Sequence, residues 1–143
     1  ILGEQMKILV TGGLGFIGSN FILHAFSSNP NLEIINLDAG LIGSNKKNLT
    51  EIEKSNKYEF IQGNINDKNL VESILGKVEG VINFAAESHV DRSIHDSKPF
   101  LESNIMGVYT ILDLIREKFP LIKFLQVSTD EVFGSLSSGL PKK

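Results

Sequence analysis

An α/β fold, a doubly wound parallel sheet with helices on both faces, is predicted for this chain by three observations. Five short apolar segments rich in β-formers alternate with longer segments of helical periodicity. A glycine-rich turn stands between the first strand and the first helix, and an aspartate closes the second strand.

Taken in order, Lys7 to Thr11 is an apolar run ended by Gly12-Gly13, the pattern of a strand buried on both faces. From Gly15 to Ser28, the residues Phe16, Ile17, Phe21, Ile22 and Phe26 recur at helical spacing, and Asn29-Pro30 stops the helix. Glu33 to Leu37 forms the second strand, closed by Asp38, and the polar stretch 43–56 carries a short helix starting near Asn45. Tyr58 to Gln62 is the third strand, Asp67 to Leu75 a helix, and Gly80 to Ala85 the fourth strand. A long helix runs from Lys98 to Lys118, and a fifth strand from Ile122 to Ser128. Such alternation builds right-handed crossovers and a parallel sheet.

The long helix carries Leu101, Ile105, Val108, Ile111, Leu112 and Ile115 in one stripe, with Met106, Tyr109 and Leu114 on other sides. A helix apolar over so much of its circumference needs cover on more than one face. The sheet with a neighbouring helix is one cover; a second subunit is the other.

Composition narrows the function. Of 143 residues, 41% are apolar, enough for a packed core. The net charge of -3, with no basic cluster larger than Lys46-Lys47 or Lys142-Lys143, disfavours a nucleic-acid partner. The absence of cysteine excludes disulfides and thiolate metal sites. No apolar run approaches a membrane span and the first residues do not read as a signal peptide, so a soluble cytoplasmic protein without membrane contact is expected. Because Ile1 to Gln5 precede Met6, residues 1–5 read as a leader or remnant. The ending at Gly139-Leu140-Pro141-Lys142-Lys143 reads as a cut after residues 6–143 of a longer domain.

The strongest chemical signal is Thr11-Gly12-Gly13-Leu14-Gly15-Phe16-Ile17-Gly18, which holds Gly12, Gly15 and Gly18 in a G-x-x-G-x-x-G pattern. Glycines there allow a tight turn, a close approach of backbone to a pyrophosphate, and close packing of helix on strand; the positive end of the helix dipole favours the anion. Asp38 follows the last glycine by 20 residues, where a ribose-binding acid is expected. Its charge repels a 2′-phosphate, and Ala39 and Gly40 beside it offer no arginine to receive one. A Rossmann-like domain that binds NAD in preference to NADP is the reading.

The tighter glycine spacing resembles the extended short-chain dehydrogenase/reductases. Three later segments resemble the dTDP-glucose 4,6-dehydratases among them: Asn83-Phe84-Ala85-Ala86-Glu87-Ser88-His89-Val90-Asp91-Arg92-Ser93, Asn104-Ile105-Met106-Gly107, and Ser128-Thr129-Asp130-Glu131-Val132-Phe133-Gly134. The last has Phe133 where the family usually has tyrosine. The resemblance covers nearly the whole chain from Met6.

It implies the following roles. Phe16 and Ile17 present backbone to the pyrophosphate, and Ala39, Gly40 and Leu41 lie beside the adenosine. Asn64 and Ile65 stand at the adenine, the asparagine replacing the family's usual aspartate. Phe84, Ala85, Ala86, Ser88, Ser103 and Ser128 line the cofactor, with Ser88 also reaching substrate. Thr129 holds the 4-hydroxyl region of the sugar, Asp130 is the acid that protonates the departing 6-hydroxyl, and Glu131 is the base at C5. His89 reads as a structural residue opening a helix, and His24 and His95 have no partners that suggest a metal site. A homodimer through the helix at 98–118 is implied.

The superfamily's hydride chemistry needs a Tyr-x-x-x-Lys pair. The tyrosines here are Tyr58 and Tyr109, followed four positions later by Gln62 and Asp113, so turnover by these residues alone is not expected. For the parent, the resemblance implies conversion of dTDP-glucose to dTDP-4-keto-6-deoxyglucose through oxidation at C4, loss of water across C5-C6, and return of hydride to C6. Two rivals stay open: another sugar-nucleotide epimerase or dehydratase, and a non-catalytic NAD-binding domain.

Overall fold

The computed structural model describes residues 5–88 and 94–134. The strands are β1 (Met6–Thr11), β2 (Leu32–Asp38), β3 (Tyr58–Gln62), β4 (Gly80–Asn83) and β5 (Lys123–Gln126). All neighbours pair in parallel, as the alternation predicts, and the strand order is β3-β2-β1-β4-β5. The order reverses direction at β1, and a crevice opens there beyond the strand C-termini.

Successive side chains of β1 face opposite sides of the sheet, and both sides are covered. Ile8 and Val10 point into one core layer with Ile22 and Ala25 of α1 (Phe16–Ser28), and Leu9 points into the other. That second layer holds Val71, Ile74 and Leu75 of α2 (Lys68–Leu75), whose N-cap Asp67 accepts from the Leu70 N–H at 3.0 Å. A short 3-10 helix, Lys46–Leu49, is capped by Asn45 and tucks Leu49 and Ile52 under the first layer.

The long helix is present but not uniform. It begins as α3 (Lys98–Leu101), widens into a π-helical stretch at Glu102–Gly107, and continues as α4 (Val108–Lys118). Its buried stripe is Gly107, Ile111 and Leu114, and Ile65 fills the space a side chain at Gly107 would need. Leu101, Ile105 and Leu112 of the expected stripe stand exposed instead, as do Met106 and Tyr109. The wide turn shifts the helical phase upstream of Gly107, and the sheet and α2 cover a single face. Ion pairs Lys118–Glu72 (2.7 Å) and Lys68–Asp113 (3.5 Å) tie α4 to α2 across their solvent edge.

β4 and β5 stop short of the predicted Ala85 and Ser128. Phe84, Ala85, Val127 and Ser128 leave the ladder, although Phe84 N–H still reaches the Thr11 carbonyl at 3.0 Å and Val127 N–H the Asn83 carbonyl at 3.1 Å. Among the described residues no helix is long and apolar enough to cross a membrane.

Candidate functional site

A cleft of about 460 Å³ runs along the C-terminal ends of the strands. The glycine loop forms its floor. Gly12 adopts φ +68°, and a Cβ there would lie 2.6 Å from the backbone nitrogen of Ala85, so the turn and the contact with the loop after β4 both require glycine. A Cβ at Gly18 would collide with the Gly12 carbonyl, which explains the close seating of α1 on the loop. Gly15 differs: its nearest neighbour would be the Gly12 carbonyl at 3.4 Å, and the rest of its surroundings are open cleft.

Gly15 is also the N-cap of α1, and neither a capping side chain nor an acidic residue serves the first turn. The first N–H groups of a helix have no partner within it. Here they face the cleft beside Phe16, Ile17 and Gly18, an arrangement suited to an anion with two phosphates. Phe16 and Ile17 are therefore not core residues of the helical stripe; they are exposed at the mouth of the cleft. Behind the loop, buried Asn36 donates to the Tyr58 hydroxyl at 2.9 Å, and burial raises that hydroxyl above its ordinary pKa.

Asp38 is buried at the end of β2. Its Oδ2 accepts from the Leu14 N–H at 2.9 Å, and its Oδ1 accepts from the Gly40 N–H at 2.8 Å and the Ser44 hydroxyl at 2.9 Å. A carboxylate has about four acceptor positions, so these three bonds fix the group and leave capacity for one further donor from the cleft. Ala39 and Leu41 line the cleft beside it; Gly40 does not, because its role is to turn at φ +73° and present its N–H to Asp38. Ser44 is a site residue that the sequence reading passed over, since a hydroxyl six positions beyond the acid has no local signature.

Across the cleft, Asn64 and Ile65 open the segment after β3. Asn64 Oδ1 accepts from the Asn66 N–H at 2.9 Å, which holds the side chain in a tight turn, and buried Ile65 forms part of the wall. The loop after β4 brings Phe84, Ala85, Ala86 and Ser88 to the cleft. Phe84 is anchored by a tilted ring contact with Phe21, 5.2 Å between centroids. Asn104 clamps this loop: its Nδ2 donates to the Glu87 carbonyl at 2.9 Å and its Oδ1 accepts from the Glu87 N–H at 2.8 Å.

The π-helical stretch places Ser103 and Glu102 on the far wall, and the Asn66 side chain donates to the Glu102 carbonyl at 3.0 Å. π-turns free carbonyls from the helical ladder and are frequent at functional sites. Ser128 and Thr129 complete the wall from the loop after β5. Asp130 does not join them. It is exposed and begins a 3-10 helix, Asp130–Phe133, that leaves the cleft after the edge strand ends. The side chain of Glu131 and residues 89–93, with the expectation for His89, lie outside the described residues.

A family model described as GDP-mannose 4,6 dehydratase matches residues 9–142. Among curated proteins, the chain is 40% identical over 134 residues to the low-salt glycan biosynthesis protein Agl12 of Haloferax volcanii, across 94% of this chain and 43% of that protein. It is 41% identical over 139 residues to a dTDP-glucose 4,6-dehydratase of Actinoplanes sp., again across 94% and 43%. The crystal structure of dTDP-glucose 4,6-dehydratase from Bacillus anthracis in complex with NAD superposes with a TM-score of 0.85 at 41% identity, over 96% of this chain and 42% of that one. The chain thus spans less than half the length of the curated relatives it matches.

Proposed function

The chain belongs to the GDP-mannose 4,6-dehydratase family, and from that membership we propose that it is the NAD-binding part of a dTDP-glucose 4,6-dehydratase. The observation that carries this reading is one cleft that joins the uncapped N-terminus of α1, Asp38, and Thr129. The first suits a pyrophosphate, the second a ribose, and the third stands where a sugar would meet the far end of a dinucleotide. The names of the similar proteins favour dTDP over the GDP of the family description.

Bound there, NAD supplies the acceptor for hydride from C4 of the sugar and its donor to C6. The residues do the rest. Thr129 holds the 4-hydroxyl region, with Ser88 on the opposite wall. The resemblance makes Glu131 the base that takes the C5 proton made acidic by the neighbouring ketone, and Asp130, exposed just outside the cleft in this chain, the acid that gives a proton to the 6-hydroxyl as water leaves. Tyr58 and Tyr109 are not followed by a lysine at the spacing hydride chemistry requires, so the 143-residue chain binds cofactor without turning over sugar. The exposed apolar face of Leu101, Ile105, Tyr109 and Leu112 supports a homodimer through this helix, and the compartment proposed with it is the cytoplasm.

Calorimetric titration with NAD and NADP tests the binding reading, with NAD the tighter ligand. Assay of the complete gene product with dTDP-glucose, UDP-glucose and GDP-mannose tests the chemistry. The expected product is dTDP-4-keto-6-deoxyglucose; a 4-epimer without a 4-keto product refutes the dehydratase assignment. Turnover by the 143 residues alone refutes the need for an added tyrosine and lysine.

A further inference from the structure

Three polar side chains stand at one level across the sheet, where strands of this kind are otherwise apolar. Thr11 of β1 pairs in register with Asn83 of β4, and Asn83 with Gln126 of β5. Thr11 and Asn83 are wholly buried. Their hydrogen bonds run in series and in one direction. The Ala85 N–H donates to Thr11 Oγ1 at 3.4 Å, and the Thr11 hydroxyl donates to Asn83 Oδ1. Asn83 Nδ2 donates to Gln126 Oε1 at 2.8 Å, and Gln126 Nε2 donates to the Val127 carbonyl at 2.8 Å. The series therefore begins on main chain of the loop after β4 and ends on main chain of the loop after β5, and both Ala85 and Val127 line the cleft.

We propose that Thr11, Asn83 and Gln126 are positioning residues that set the separation of these two loops, and with it the width of the cleft between Ala85 and Thr129. The inference rests on the cofactor reading above. Three apolar residues would hold the same strands together without desolvating amides, but they would leave Val127 with no side-chain tether to β4. β5 is only four residues long and is held to β4 along that length. The adenosine end of the cleft, built on β2 and β3, is not part of the series. The rung thus ends, at Gln126 and Val127, on the side of the cleft away from the adenosine.

That asymmetry makes the test. The 143-residue chain and its Gln126→Leu variant, changed at an exposed position of similar size, are titrated with NAD and with ADP, which lacks the nicotinamide. Thermal midpoints are recorded alongside. The expected result is that Gln126→Leu lowers the ratio of NAD to ADP affinity by about tenfold, the effect of one misplaced hydrogen bond, while ADP binding is unchanged. Thr11→Val, which keeps the shape and removes the hydroxyl, does the same, and Thr11→Ser restores the ratio. An unchanged ratio in both disrupting variants overturns the proposal and makes the rung purely structural, even if the midpoint falls. Absence of ADP and NAD binding in the unaltered chain overturns the cofactor reading, and the rung proposal with it.

Discussion

Replacing Gly15 with alanine separates a glycine that serves the fold from one that serves a ligand. Gly15 adopts φ -70° and ψ 169°, a conformation open to any residue, and a methyl there approaches protein no closer than the Gly12 carbonyl at 3.4 Å. The cost to the fold is the loss of a good N-cap residue, below about 1 kcal/mol, or roughly 3 °C in the thermal midpoint. For a ligand the same methyl is serious. A phosphate oxygen must come within about 2.9 Å of the helix N–H groups, and the methyl occupies that approach. Losing two charge-assisted hydrogen bonds at about 1.5–3 kcal/mol each predicts roughly 10²- to 10⁴-fold weaker NAD binding. Calorimetric titration of the two proteins, with midpoints from circular dichroism, measures both effects. Gly18→Ala is the contrast: its methyl falls on the Gly12 carbonyl, and the fold itself gives way. If Gly15→Ala binds NAD within about threefold of the unaltered chain, a difference under 1 kcal/mol, the pyrophosphate does not lie on this loop.

Other expectations follow from the packing and the hydrogen bonds. Asn104→Ala removes both bonds to the Glu87 backbone; hydrogen exchange should show the Glu87 amide opening about tenfold more often, for a loss of about 1.4 kcal/mol. Leu114→Ala empties a fully buried position between α4 and the sheet and should cost about 2–5 kcal/mol in a urea titration. Tyr58 has its folded pKa raised above 10.0 by burial, so its contribution to stability is complete below that value and is lost as pH rises toward the folded pKa. Stability of the chain should therefore fall from about pH 10 upward, and Tyr58→Phe should flatten that slope while weakening the fold at neutral pH, because Asn36 loses its acceptor.

Much of this was legible in the order of residues. β1 announced itself through a continuous apolar run, because both faces of a central parallel strand are covered. Gly12, Gly18 and Asp38 marked the cleft by spacing, whereas the cap that Asp67 gives α2 came from the structure. What escaped was geometry set by distant partners. Phe84 and Ala85 look like strand yet leave the ladder, since apolar character signals burial and not hydrogen-bonding partners. The stripe drawn through Leu101, Ile105 and Ile111 assumed a constant turn, and no residue between Glu102 and Gly107 announces a π-turn. Ser44 reaches Asp38 and Asn104 reaches Glu87 only after the chain has folded back. Asp130 shared a motif with Thr129 but not its surroundings, because the edge strand ends between the sheet and the exposed turn.

The widened turn at Glu102–Gly107 amounts to one surplus residue carried in the middle of a helix. A helix advances about 100° with each residue, so the surplus fixes which way everything before it faces. Deleting one exposed position of that stretch, Ile105 or Met106, would remove the surplus and swing Pro99 and Ser103 about a quarter-turn away from the wall they form. Chain length within this helix is therefore as constrained as the identity of any side chain on it.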